Sequence, residues 1–489
     1  MLNHLKNEAN IAYTENGAVT NASTMSDCLD LFATIGAMRA ADDQEIIRRF
    51  VRAYAENADI AMKILFFGRD ARGGLGERRV FRVILNWLAE NRAESLRKNI
   101  ELIPEFGRYD DLVSLLGTAC ENDALRVIRK QMESDLAPDA EVSLLAKWLP
   151  SVNTSNKEAV RRAKRIAHYL GMSDSEYRKT LVGLRKKLRI IENNLRERDY
   201  SFDYSKQPSK AMFKYRKAFL RNDSDRYNAF LEAVSSGEKQ LHANALAPYE
   251  IVRAALNASD WDFNTQLTAG EKAALNASWE SLPDFCDNRN ALAVVDTSGS
   301  MYYYNNALPA AVALSLGLYF GERNTGIFHN HFIEFSSRPQ LIEIKGKTFI
   351  ERLEYLCTFN EVADTNVEAV FNLILDAAVR NNVLQEELPE TLYLISDMEF
   401  NSCVRNAALS NFENAKRRFA KHGYKLPQLV FWNVASRNSN QPVKKNEQGV
   451  ALVSGCTPHL FSMVASGELS PYALMTEILN SERYSKISA

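Results

Sequence analysis

An all-helical solenoid followed by a doubly wound α/β domain is the fold class predicted by this chain of 489 residues. Three observations predict it. From Thr24 to about Leu256, amphipathic helical patterns follow one another with short polar joins and no strand between them. From Leu292 onward, short apolar runs alternate with helical ones, the pattern of a mostly parallel sheet with right-handed crossovers. The length itself allows two or three domains. A composition of 46% hydrophobic and 25% charged residues supplies ample core.

Taken in order, residues 1–23 are polar and unpatterned and read as a flexible tail. Residues 24–256 form the helical repeat domain. CLDLFATIGAMRA, DQEIIRRFVRAYAENADIAMKILFFGRD and RRVFRVILNWLAENRAESLRKNIELI place apolar residues at i, i+3, i+4 and i+7. This succession suggests a HEAT-type solenoid, although no clean repeat period is present. The loop GRDARGGLGERR sets Gly73, Gly74 and Gly76 among Arg69, Arg72, Arg78 and Arg79. Glycines and guanidinium forks of this kind can cradle a phosphate, so Arg69, Arg72, Gly73, Gly74 and Arg78 form a candidate phosphate loop. The alternative is an interhelix turn whose charges pair with one another. The Gly-Lys-Ser/Thr ending of a nucleotide P-loop is absent. In IPEFGRYDDL, Arg108, Asp110 and Asp111 are placed to brace helices.

The charge is unevenly spread. The chain carries a net −1, yet Lys157 to Arg221 holds 19 Lys and Arg against 7 Asp and Glu, an excess of +12 offset by −13 elsewhere. Such asymmetry is the footprint of a polyanion-binding face. Candidate RNA contacts are Arg161, Arg162, Lys164, Arg165, Arg185, Lys186, Lys187, Arg189, Lys206, Lys210, Lys214, Arg216, Lys217 and Arg221. Tyr204, Phe213, Tyr215 and Phe219 interleave with the later ones and can stack on unpaired bases, or fill a core.

Residues 257–285 connect the halves, with one helix around Trp279. Residues 286–489 alternate strand and helix: Leu292–Asp296, Leu308–Phe320, Phe328–Ser336, Gln340–Ile344, Phe349–Leu356, Thr365–Arg380, Leu392–Asp397, Asn411–His422, Gln428–Ser436, Val450–Val453 and Pro471–Asn480. The first strand runs into Asp296-Thr297-Ser298-Gly299-Ser300. One carboxylate and two hydroxyls in five residues offer oxygens to a hard cation such as Mg2+. Thr365, at a helix mouth, and Asp397, at a strand end, can supply more, since ligands bind at the carboxyl edge of such sheets. An N-capped helix after a strand is the plainer reading of DTSGS by itself. DxSxS followed by Thr and then Asp resembles the metal-ion-dependent adhesion site (MIDAS) of the von Willebrand factor A (vWA) family. The resemblance implies that Asp296, Ser298, Ser300, Thr365 and Asp397 hold Mg2+ or another divalent cation, Asp397 through water.

RGGLGER, IPEFGRYDDL, AKWLPSVNTS and the YSKQPSKAM–KYRKAFL run, ahead of a vWA-like domain, resemble an uncharacterised TROVE-related family, over roughly residues 25–480. They resemble more distantly the Ro autoantigens, in which a ring of helical repeats is closed by a vWA domain. That likeness implies a ribonucleoprotein component binding small structured noncoding RNA on a basic outer surface and single-stranded RNA ends through the hole. It transfers no individual RNA contact.

No run of apolar residues is long enough for a membrane span, and no secretion signal opens the chain. Six scattered cysteines without a CxxC pair fit buried thiols in a reducing, cytoplasmic setting. His329 and His331, the one close histidine pair, have no acidic or cysteine partner nearby. The reading is therefore a non-catalytic RNA-binding protein. The alternative is a protein-interaction scaffold in which the metal captures a partner carboxylate, without RNA. Catalysis has no convincing general base, the nearest being Glu399.

Overall fold

The computed structural model describes residues 10–188, 190–257, 262–286, 290–303, 305, 308–335, 338–359, 365–401, 410–465 and 469–489. The chain forms two compact units, Met1–Asn57 with Pro208–Ser485, and Ala58–Gln207 with Lys486–Ala489.

The larger unit is built on a sheet of six strands. These are β3 (Ala291–Asp296), β4 (His331–Phe335), β5 (Gln340–Glu343), β6 (Thr391–Ser396), β7 (Gln428–Asn433) and β8 (Val450–Ser454), and they follow a two-stranded hairpin of β1 (Ile11–Tyr13) and β2 (Val19–Asn21). The sheet order is β5-β4-β3-β6-β7-β8, parallel throughout except that β5 runs antiparallel to β4. All six residues of β3 and of β6 are buried, which is why both read as unbroken apolar runs. Helix Leu308–Arg323 lies so close to β3 that a Cβ on Gly317 would meet Val295 Cγ2 at 2.3 Å. The chain leaves β3 toward β4 on one side and later returns as β6 on the other. The carboxyl ends of β3 and β6 therefore form the switch point where such sheets bind ligands. Every strand and helix expected between 286 and 489 is present, with ends shifted by up to three residues. Helices Gly299–Tyr303 and His459–Val464 are additional.

Two expectations are corrected. Residues 10–23 are not a loose tail. They form the hairpin, with Ile11 opposite Asn21, and Asn21 exchanges backbone hydrogen bonds with Gln441. Three-residue strands carry too little periodicity to be seen locally, and the residues that anchor the hairpin, Phe400 and Gln441, lie some 400 residues away. The boundary near residue 256 also moves. Helices Asp27–Phe32, Asp43–Glu56, Ser209–Asn222, Ser224–Ser235 and Pro248–Ala255 belong to the compact unit that contains the sheet. Pro248–Ala255 packs on Leu308–Arg323. The expected connecting segment carries helix Ala269–Glu280, whose Trp279 stacks on Phe349 at 4.5 Å and donates to Glu322 at 2.8 Å. Apolar burial, invisible to a helix-by-helix reading, decides the partition.

The smaller unit is helical, among the described residues, from Ala58–Arg69 through Arg79–Asn91, Ala93–Asn99, Glu121–Leu136, Lys157–Tyr169 and Asp174–Lys187 to Ile191–Glu197. Its helices pack chiefly on neighbours close in sequence, as stacked helical repeats do.

Candidate metal centre and basic surface

The DTSGS turn bends at the end of β3 because Asp296 folds back on it, its Oδ1 accepting from Ser298 N–H at 2.9 Å. Its Oδ2 accepts from the Ser396 hydroxyl on β6. Ser300 Oγ donates to Asp397 Oδ2 at 2.7 Å and lies 3.2 Å from Ser298 Oγ. Asp296, Ser298, Ser300 and Asp397 are thus brought together. Thr365 is buried, and its carbonyl accepts from Asn401 N–H at 2.8 Å, which ties it to the segment that follows Asp397.

Both carboxylates are almost fully buried, Asp296 at 1% and Asp397 at 2% exposure. Burial first, and the charge of Asp397 second, push the Asp296 carboxyl well above the usual range. Two desolvated acids with hydroxyls between them are a costly arrangement for a protein by itself. The donor set fits a hard cation. It consists of oxygens alone, and the 3.2 Å between the serine hydroxyls is near the roughly 3.0 Å separating adjacent oxygens on an octahedron of radius about 2.1 Å. Among the described residues no three His, Cys, Asp or Glu side chains gather, so the candidate centre rests on two carboxylates and on hydroxyls. His329 instead shares a hydrogen bond with the Asn324 carbonyl, and His331 with that of His329.

Sequence reasoning missed three neighbours of the centre. Ser396 carries no motif. Arg437 donates to Asp397 Oδ2 at 2.8 Å from the loop after β7, and Glu15 of the hairpin holds the other arm of Arg437 at 2.6 Å. Glu399 does not continue the strand past Asp397. Met398 takes φ +67, the chain turns, and the buried Glu399 carboxylate accepts from Glu15 N–H at 2.7 Å and Asn438 Nδ2 at 2.9 Å.

The candidate phosphate loop is spent internally. Arg69 is 3% exposed and pairs with Asp111 at 2.7 Å. Arg82 reaches Asp111 at 2.6 Å and Asp110 at 2.8 Å, while Arg108 pairs with Asp110 and stacks over Trp148 at 3.9 Å. The N–H groups of Leu75, Gly76 and Glu77 donate to Phe67, Asp70 and Gly68. A Cβ on Gly74 would meet Phe67 O at 2.1 Å, so that glycine serves a tight turn. Arg78, exposed, sits 4.0 Å from Asp110, and Arg72 donates its backbone N–H to Asp70 Oδ1 at 3.0 Å and its guanidinium to the Glu105 carbonyl at 3.4 Å. Gly73 is half-buried in the same turn. This is a brace between helices, and the expectation of a phosphate loop at Arg69, Gly73 and Gly74 is corrected by it.

The candidate RNA contacts are divided between the units. Arg161 and Arg162 pair with Glu158, Lys164 with Asp174 and Arg165 with Glu121. Arg185 is turned inward onto Ala146 O, Leu149 O and Ser151 Oγ, so it holds the WLPS turn. In the sheet-containing unit, Lys210 pairs with Glu250 and Lys217 with Glu271. Arg216 covers Phe213 at 4.2 Å, and burial lowers its pKa. Lys214 lies over Tyr215 at 4.8 Å. Lys206 and Arg221 are exposed, and Arg189 lies outside the described residues. Phe219 is core and Tyr204 buried. Lys186 and Lys187 are exposed on helix Asp174–Lys187, and so are Arg178 and Lys179, eight residues earlier, which sequence reasoning passed over. Val182 and Gly183 lie between them on the same exposed face. None of these four cations belongs to an ion pair among the described residues. The helical unit as a whole carries 29 Lys and Arg against 22 Asp and Glu, a net +7, so the remaining residues carry −8.

The fold and centre define a class: a helical-repeat protein joined to an α/β domain with an oxygen-lined acidic centre at the sheet's switch point. Residues 14–134 and 153–288 match the family model described as "Domain of unknown function (DUF2828)", and residues 290–473 match "Domain of unknown function (DUF7788)". The first match covers more than half of the chain, which belongs to the DUF2828 family. The chain is similar to "Uncharacterized protein L728" of Acanthamoeba polyphaga mimivirus, 28% identical over 525 aligned residues that cover 97% of this chain and 90% of the relative. Among solved structures it is similar to the RO (RSR) protein of Deinococcus radiodurans, with 14% identity, coverage of 91% of this chain and 92% of that one, and a TM-score of 0.40.

Proposed function

We propose that this is a non-catalytic RNA-binding protein of the cytoplasm, Ro-like in binding small structured noncoding RNA or RNA ends through its basic helical unit. In this reading the α/β domain is of vWA type. Asp296, Ser298, Ser300 and Thr365 hold Mg2+, with Asp397 acting through water. The bound ion would supply a positive, oxygen-seeking centre at the sheet edge.

The exposed strip Arg178, Lys179, Lys186 and Lys187 carries the proposal. It sits on a unit of net +7, and none of its cations is ion-paired with a carboxylate among the described residues. Cations of this kind release counterions when they meet phosphates, and that term dominates nonspecific RNA affinity. Titration of a fluorescent structured RNA is expected to give micromolar or tighter binding that weakens steeply with salt. Changing all four residues to Glu should weaken it by about 100-fold or more. Negligible binding at low salt, or an unchanged affinity in the fourfold variant, would refute the reading.

A second reading has one observation in its favour. Tyr303, on the short helix carrying Ser300, is 87% exposed beside the centre, as an anchor for a partner protein would be. A scaffold would then offer the ion's open position to a partner carboxylate. A partner lost with EDTA and retained after nuclease would favour that reading over RNA.

A further inference from the structure

Asp397 Oδ2 accepts from two groups at once, the Ser300 hydroxyl at 2.7 Å and Arg437 Nη2 at 2.8 Å. The guanidinium is shared, because Nη1 donates to Glu15 Oε2 at 2.6 Å. Its Nε is buried and has no acceptor among the described residues, so this berth leaves the side chain incompletely satisfied. The loop that carries it is held by other means. Arg49 donates to Ser436 Oγ at 2.6 Å and to the Asn438 carbonyl at 3.0 Å. Asn438 in turn donates to Glu15 Oε1 at 3.0 Å and Glu399 Oε1 at 2.9 Å. The hairpin is clasped independently to the residues just beyond Asp397. Thr14 Oγ1 donates to Phe400 O and Asn16 Nδ2 to Glu399 O, both at 2.6 Å. Arg437 can therefore leave Asp397 with both loop and hairpin in place.

We propose that Arg437 is a resident counter-cation of this centre: it competes with the divalent ion for Asp397, and Glu15 of the N-terminal hairpin receives it when the ion binds. The inference rests on the divalent-cation reading of the centre. A guanidinium on Asp397 neutralises a buried carboxylate that would otherwise stand unscreened beside Asp296, and its charge repels an incoming dication. The second berth is already built, since one arm is on Glu15 before the other lets go. Ion occupancy and the contacts of the hairpin become linked through one side chain.

The test uses the full chain and Mn2+ as probe, with the free aqua ion followed by electron paramagnetic resonance. Asp296→Ala defines which binding is specific. Arg437→Met should tighten Mn2+ by about ten-fold, because a full repelling charge leaves the low-dielectric rim. Arg437→Lys, which keeps the charge, should stay near wild type. Arg437→Gln replaces the Met variant should that one fail to fold, with the same tightening expected. Glu15→Gln should weaken Mn2+ about three-fold when Arg437 is present and have little effect in the Met background, the non-additivity of a coupled pair. Unchanged or weaker Mn2+ binding in the Met and Gln variants overturns the competition. An equal effect of Glu15→Gln in both backgrounds overturns the role of Glu15. If no form, Arg437→Met included, binds Mn2+ in a manner that depends on Asp296, the cation reading itself falls.

Discussion

Two clusters of charge, each built around a buried carboxylate, invite comparison. In the helical unit, Asp110 and Asp111 are met by Arg69, Arg82 and Arg108, each at a distance between 2.6 and 3.0 Å, with Arg78 farther out at 4.0 Å. In the sheet-containing unit, Asp296 and Asp397 are met by hydroxyls and by one arm of one arginine. The first cluster has more positive than negative charge and is closed. The second is short of positive charge and, in the reading proposed above, open to an ion. The lesson is that an arginine-rich, glycine-rich motif can be architecture, whereas a modest run of serines can mark the centre.

The difference can be broken at its strongest point first. Asp111→Ala should cost about 3–5 kcal/mol, because Arg69, 4% exposed at its side chain, would be left buried without its acid. A melting curve checks it, and a loss below about 1 kcal/mol, the range of a surface pair, would mean the cluster is no brace. The opposite behaviour is expected of the open cluster when it is filled. Mg2+ at about 100 times its dissociation constant should stabilise the wild type by about 2.7 kcal/mol, and Asp296→Ala should abolish that gain. Calorimetry with and without EDTA reads both.

Smaller effects sharpen the contrast between spent and available charge. Arg161→Glu with Arg162→Glu should weaken RNA binding less than the same change at Lys186 and Lys187, since Glu158 already holds the first pair. The slope of affinity against salt should fall by about 1 for each phosphate that a variant no longer neutralises. The least effect is expected of Asp296→Asn in EDTA. A carboxamide can still accept from Ser298 N–H through its oxygen and can donate its amide to the Ser396 hydroxyl, reversing that bond, while removing repulsion with Asp397. Stability should therefore stay within about 1 kcal/mol of wild type or rise. A large loss there would make Asp296 a structural acid like Asp111.

Much of the α/β part was legible because its strands are buried on both faces, which writes unbroken apolar runs into the sequence. LAVVD and the largely apolar TLYLIS are such runs, and the candidate oxygen ligands stand at their ends. The alternation of the helical part was equally plain. The domain partition was not. Whether Pro248–Ala255 packs on one helix or another depends on surfaces that lie far apart in the chain. Cation availability was illegible for the same reason: nothing local to Arg185 says that its guanidinium turns toward Ala146 and Leu149. Arg437 and Glu15 escaped notice because their meeting spans 422 residues.

That span also sets an order of events during synthesis. Thr14, Glu15 and Asn21 leave the ribosome well before their partners Phe400, Arg437 and Gln441, which are made some 400 residues later. At about 5–20 residues per second the opening segment waits roughly 20–80 s for its mates. The hairpin thus completes its contacts only after residue 437 is made, and a nascent chain cut short before that residue never acquires the clasp.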